Sequence, residues 1–214
     1  MSQSAIIVEH QGEPRMSLAE WAAMPEDDPG ELVDGRLVEE EVADPVHEDI
    51  VSSLNATIRP WVVPRGGFIL GSEAKFGLGP KRGRKPDLSV FLPGGAVPPR
   101  HGSVSAPPDI MVEVISRSPG DVRRDRIEKA DEYAAFGVRF YWLIEPNART
   151  LEIFQLDAAK RYTRLLGASR GVVDVPGCPE LRLDLDALWA EIDRLGPPAP
   201  VALRPKRRKA KAKR

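Results

Sequence analysis

Residues Pro107 to Tyr133 read PPDIMVEVISRSPGDVRRDRIEKADEY, and a shorter run before them, Lys85 to Leu92, reads KPDLSVFL. In both, Pro-Asp leads into an apolar segment of strand length. Both carry a carboxylate that apolar burial does not explain: Asp87 where the first strand opens, and Glu113 in the middle of the second. Along the second strand Ile110, Val112 and Val114 point to one face, and Met111, Glu113 and Ile115 to the other. A lone charged carboxylate among Met, Val and Ile is costly unless it pairs or binds a metal. The helix expected next supplies a candidate cation, Lys129, on one stripe with Tyr133 and Phe136 at helical spacing.

Downstream of this stretch, Asp121 is placed to cap the helix, which runs to Phe136, and Gly137 is placed as its C′ residue. Val138 to Glu145 is too apolar for a solvent-facing edge. Pro146 to Thr150 reads as a turn, with Leu151 to Leu156 alternating as its hairpin partner. Arg161 to Leu166 adds a strand, Val172 to Leu183 is loop and strand, and Asp184 caps a closing helix through Leu195.

Upstream, Ser17 and Glu20 form a capping box at the start of a short helix that Pro25 ends. Glu31 to Val38 reads as a hairpin turning at Asp34-Gly35. Pro45 opens a helix from Val46 to about Arg59, bounded by Pro60 and Pro64. Gly66 to Gly79 alternates as strand, Lys81 to Lys85 is a basic loop, and Gly94 to Ser105 is loop. This order predicts one mixed α/β domain with a central sheet. A helix crossover joins the strands that hold Glu113 and Trp142.

The chain of 214 residues is expected to divide into a flexible arm (1–15), one folded domain (16–195) and a Pro-rich linker with a basic, disordered tail (196–214). No run approaches the length of a membrane span, and there is no basic-then-apolar start of the secretory kind, so a cytoplasmic location is expected. The single cysteine, Cys178, excludes an internal disulfide and a cysteine-rich metal site.

The net charge of −1 hides an asymmetry. Arg204 to Arg214 holds 8 of the 31 basic residues and no acid, which leaves 23 basic against 32 acidic groups elsewhere, a balance of −9. Such a tail either adds non-specific phosphate contacts or serves as a solubilising extension.

Two carboxylates on neighbouring strands offer oxygen ligands to a hard divalent cation, which needs no His or Cys. A metal there would activate water, and a nearby lysine could orient it or neutralise charge on a phosphate. These parts together suit a phosphodiesterase. Each has an ordinary alternative: a strand-start aspartate for Asp87, an arginine ion pair for Glu113, a snorkelling side chain for Lys129. The basic run Lys81, Arg82, Arg84 and Lys85 beside Asp87 suits a polyanionic substrate, or else is a solvated loop.

The sequence resembles the Uma-two family of restriction-endonuclease-like proteins, a branch of the PD-(D/E)XK nuclease superfamily. The matching stretches are MSLAEWAAMPEDDPGELVDGRLVEE, DPVHEDIVSSL, RKPDLSVF, PPDIMVEVISRSPGDVRRDRIEKADEYAAFGVRFYWLIEP and RTLEIFQL, which span about residues 16 to 190. The resemblance implies a restriction-endonuclease-like α/β fold, with a mixed central sheet of four or five strands flanked by helices. It implies an endonuclease that hydrolyses DNA with Mg2+ or Mn2+.

By that resemblance Asp87 is the aspartate of the Pro-Asp motif and Glu113 the acid of the half-motif that follows. Ile115 stands where the superfamily usually has lysine. The lysine is matched instead by Lys129 on the next helix, and Ile115 is left to lend its backbone carbonyl to the metal. Glu31 matches a recurrent acidic position and is an auxiliary ligand or a surface glutamate beside a hairpin. His47 matches a family histidine and either contacts phosphate or caps its helix, with the structural role favoured. Gly30 departs from the pattern, since relatives often carry an aromatic residue there, and the basic tail lies outside it. Duplex cleavage needs two sites, which admits a homodimer. The alternative class is a catalytically silent nucleic-acid-binding or regulatory protein on the same fold.

Overall fold

Ile110–Val114 forms the strand that its alternation predicts, and its two faces enter two different apolar cores. Ile110, Val112 and Val114 join one core, while Met111 and Ile115 join the other. Glu113 therefore stands on the second face, among side chains that offer it no water.

The computed structural model describes residues 15–25, 30–38, 44–116 and 119–196. The expected arm and the Pro-rich basic tail lie outside these residues, apart from Arg15 and Gly196. The elements begin with α1 (Leu18–Ala22), β1 (Glu31–Val33), β2 (Arg36–Val38) and α2 (Pro45–Val62). Next come β3 (Phe68–Leu70), β4 (Phe76–Gly79), β5 (Arg82–Arg84), β6 (Leu88–Phe91) and β7 (Ile110–Val114). A helix in three parts follows: α3 (Pro119–Arg123), a π-helical stretch (Arg124–Lys129) and α4 (Ala130–Phe136). The chain continues with β8 (Phe140–Glu145), β9 (Thr150–Leu156), β10 (Tyr162–Ala168), β11 (Val172–Asp174), β12 (Arg182–Asp184) and α5 (Leu185–Asp193).

The large sheet is mixed and six-stranded, in the order β10-β9-β8-β7-β6-β3. It exceeds the four or five strands expected because β3 and β10 extend its two edges. β7 and β8 run parallel, with Val112 opposite Trp142 and Glu113 opposite Leu143, as the helix crossover requires. β6 is antiparallel to β7, with Leu88 opposite Val112. One more step of that register sets Asp87 beside Glu113.

α2 and α5 cover one face of this sheet, through Ile50, Leu54, Ile58 and Trp189. The opposite face carries Tyr133 of α4 and Tyr141 of β8, packed edge to face. A second, four-stranded sheet, β2-β1-β5-β4, brings the N-terminal hairpin to this side. The hairpin turns at Asp34 and Gly35, both with positive φ (51° and 79°), as its Asp-Gly pair predicts. The Ser17 capping box, the Asp184 cap on α5 and Gly137 as a left-handed terminus all form as read.

Four local expectations are corrected. α2 runs through Pro60 to Val62, because one missing N–H near a helix end costs less than exposing Val62, which is fully buried beneath Ile58. Gly66 to Gly79 is two strands, β3 and β4, in different sheets. The basic run is not a loop: Arg82–Arg84 is strand β5. The helix after β7 begins at Pro119, so Asp121 lies inside its first turn rather than capping it.

Candidate active site

Glu113 is 3% exposed, and both its carboxylate oxygens are engaged. Lys129 Nζ donates to Oε2 at 2.9 Å, and the Tyr133 hydroxyl donates to Oε1 at 2.5 Å. The helical stripe read from the sequence thus delivers both donors to one acid. Asp87 is held from two sides. Its Oδ2 accepts from the Val114 N–H at 2.6 Å, and its Oδ1 lies 3.1 Å from His47 Nε2. Lys129, at the end of the π-helical stretch, thus meets Glu113 within β7, and Asp87, ahead of β6, is near enough for its charge to act on Glu113.

The family described as "Uma2: Putative restriction endonuclease" matches residues 17–186. The chain belongs to the Uma2 family. Among solved structures, "a putative nuclease belonging to DUF820" from Anabaena variabilis ATCC 29413 is similar at 22% identity and a TM-score of 0.64. That match covers 82% of this chain and 98% of the other, and it shows the shared fold. No curated protein matches the chain.

The auxiliary residues of this Uma2 chain are buried as well. Glu31 is 1% exposed, which removes the surface-glutamate alternative. Its Oε2 accepts from Arg84 at 2.6 Å, its Oε1 accepts from the Lys85 N–H at 2.9 Å, and Lys129 Nζ lies 3.8 Å away. Burial alone would raise the Glu31 carboxyl, but Lys129, Arg84 and the Lys85 N–H hold it down to about 2. His47 does not cap its helix. Asp44 does so by accepting from the His47 N–H at 2.9 Å, which leaves the imidazole to Asp87. Burial pulls the imidazole down, but the Asp87 hydrogen bond and charge outweigh it, so its pKa is raised. Ile115 is buried in the apolar core and donates its N–H to Ile144.

The four basic residues part company. Arg84 is fully buried and grips Glu132 with two hydrogen bonds, at 2.6 and 2.8 Å, besides its bond to Glu31. Arg82 pairs with Asp34 and Glu132, and Lys85 pairs with Glu73. Lys81 is exposed. Arg84 thus faces the interior.

One acid escaped the reading of the sequence. Asp125 is 4% exposed, and its Oδ1 lies 3.4 Å from Lys129 Nζ without a hydrogen-bond partner. Its backbone carbonyl accepts from the Tyr141 hydroxyl at 2.9 Å. Its separation of four residues from Lys129 was the available signal, and π-helical stretches of this kind concentrate at functional sites.

Glu31, Glu113 and Asp125 therefore cluster around one lysine, and the charge of Asp87 reaches Glu113 and Asp125. The ammonium stays charged: burial would lower it, but Glu113, Glu31 and Asp125 push it well above its ordinary value. The surplus negative charge makes Glu113 hold a proton more readily than an ordinary carboxyl. Burial, with Asp87, Asp125 and Glu31 adding to it, outweighs Lys129 and holds the carboxyl well above the usual range. Among the described residues, no three His, Cys, Asp or Glu side chains are set as a ready-made metal cage. Mg2+ does not require one, since it binds through one or two carboxylates and completes its shell with water and phosphate oxygens.

Proposed function

We propose that this protein is a metal-dependent endonuclease that hydrolyses DNA phosphodiester bonds. The observation that carries the reading is the Lys129–Glu113 pair, made beside Asp87 across two adjacent strands. Family membership supports a nuclease, and the site's chemistry supports a hard divalent cation. Its donors are all oxygen, acids outnumber the lysine, and a buried carboxylate oxygen on Asp125 has no hydrogen-bond partner.

Asp87, Glu113 and the Ile115 backbone carbonyl would hold Mg2+ or Mn2+. When bound, such an ion lowers the pKa of a coordinated water and polarises the scissile phosphate. The chain's own groups do the rest. The Val114 N–H and His47 fix the orientation of Asp87, so that its carboxylate does not turn away from the ligand position. Tyr133 fixes Glu113 in the same way. Lys129 supplies positive charge to the phosphate oxygens as negative charge builds on them in the transition state. Glu31, fixed by Arg84, keeps that amine protonated and aimed into the site. The apolar walls from Met111 and Ile115 exclude bulk water and strengthen these interactions.

The competing reading is a nucleic-acid-binding protein that has kept the fold without turnover. It draws on the burial of Glu113 and Lys129. Supercoiled plasmid incubated with Mg2+, with Mn2+ or with EDTA separates the two. The nuclease cuts with either ion and stops in EDTA, and Asp87→Ala lowers the rate by about a hundredfold or more. Binding of the plasmid with no cut product under any ion would establish the silent reading.

A further inference from the structure

We propose that the Lys129 ammonium is an internal cation, which neutralises the acidic cluster when no divalent ion is bound and must leave Glu113 when one binds. The proposal rests on the metal-dependent reading above. Its basis is position: Nζ stands 2.9 Å from Glu113, 3.4 Å from Asp125 and 3.8 Å from Glu31, with Lys129 and all three acids almost wholly buried. It therefore already occupies an oxygen of Glu113, the acid that a divalent ion held with Asp87 would also need. Two cations cannot share one Glu113 oxygen in so dry a space without strong repulsion.

Which of the two partners moves follows from how each is held. The second oxygen of Glu113 is fixed by Tyr133, and its backbone lies within β7, paired on both sides. Lys129 reaches the acid from a π-helical stretch on a flexible four-carbon stem. Asp125 offers the displaced ammonium a nearby seat: its buried Oδ1 has no hydrogen-bond partner and already lies within ion-pair distance. Swung from Glu113 toward Asp125, the amine remains inside the site, where it can meet a phosphate oxygen. Lys129 would thus weaken metal binding while supplying the charge that the reaction needs.

The test reads metal binding rather than cleavage. In protein carrying nitrogen-15 lysine, the Lys129 ammonium resonance is identified by its absence from Lys129→Arg, and Mg2+ is then titrated into the wild type. The expected result is a shift of that resonance that saturates together with Mg2+ binding measured by calorimetry. In parallel, Lys129→Met is expected to bind Mn2+ about tenfold or more tighter than the wild type by electron paramagnetic resonance, since a competing charge has gone. If Lys129→Met does not fold, the wild-type titration still decides. Mg2+ saturation with the Lys129 resonance unmoved, or a folded Lys129→Met that binds Mn2+ no tighter, overturns the proposal and leaves the nuclease reading standing. A folded wild type that binds neither ion overturns both.

Discussion

Arg84 has no water to fall back on. It is wholly buried between Glu31 and Glu132, so its removal strands two buried carboxylates. Breaking a buried ion pair from one side costs about 3–5 kcal/mol. Arg84→Met is therefore expected to lose about that much unfolding free energy in urea titrations. Arg84→Lys should recover only part of it, because an ammonium cannot span both Glu132 oxygens. A loss below about 1 kcal/mol would mean that the network contributes little. Glu31, at the other end, adds a pH dependence with a definite sign. Its folded-state pKa, about 2, lies below the ordinary value of 4.5, so the folded protein binds fewer protons at this group than the unfolded chain does. Its stabilisation is complete above about pH 4.5 and is lost as pH falls toward about 2. Glu31→Gln should be less stable at neutral pH and should lose less on acidification across that window. Equal acid sensitivity in the two proteins, followed by circular dichroism, would show that other carboxyls set the slope.

At the scale of elements, α1 and β5 meet so closely that a methyl group has no room. A Cβ placed on Gly83 would lie 2.4 Å from the Trp21 ring, which itself is pinned by a hydrogen bond from its indole N–H to the Gly30 carbonyl. Gly83→Ala should therefore cost about 1–3 kcal/mol by overpacking, and a thermal melt with an unchanged midpoint would contradict that contact. Legible in the sequence are the features that neighbours along the chain decide. The alternation along Ile110–Val114, the Ser17 capping box, the Asp34-Gly35 turn and the Lys129–Tyr133 stripe are signals between neighbours in sequence, and all of them form. The basic run from Lys81 reads as a loop but forms a strand, because what decides its state is remote. Glu31 and Glu132 lie 53 and 48 residues from Arg84, and no local pattern records them. Asp125 was passed over for a different reason: on an amphipathic helix an acid four residues before a lysine reads as an ordinary surface pair, and only the fold turns that pair inward. Gly30 is glycine for a reason that also needs the fold. Its φ of 116° and the approach of the Val38 carbonyl, 2.8 Å from where a Cβ would stand, require glycine.

Over the whole molecule, charge and the proposed substrate are at odds. Outside the last eleven residues the chain carries 23 basic and 32 acidic groups, and Arg82, Arg84 and Lys85 are spent on Glu31, Glu132, Asp34 and Glu73. A domain with that balance repels a polyanion at long range, so something else must supply the attraction. The 8 Lys and Arg from Arg204 to Arg214 are the concentrated source available. If they engage phosphates, each contact releases about 0.9 counterions, and removing all eight would flatten the slope of log affinity against log salt by up to about 7. A chain ending at Gly196 is thus expected to melt at the same temperature as the full chain, because the described fold closes with α5. It should also bind duplex DNA more weakly at low salt and with a shallower salt dependence. Fluorescence anisotropy across a salt series measures both quantities, and an unaltered slope after truncation would assign the tail to solubility alone and move the search for phosphate contacts back to the folded domain.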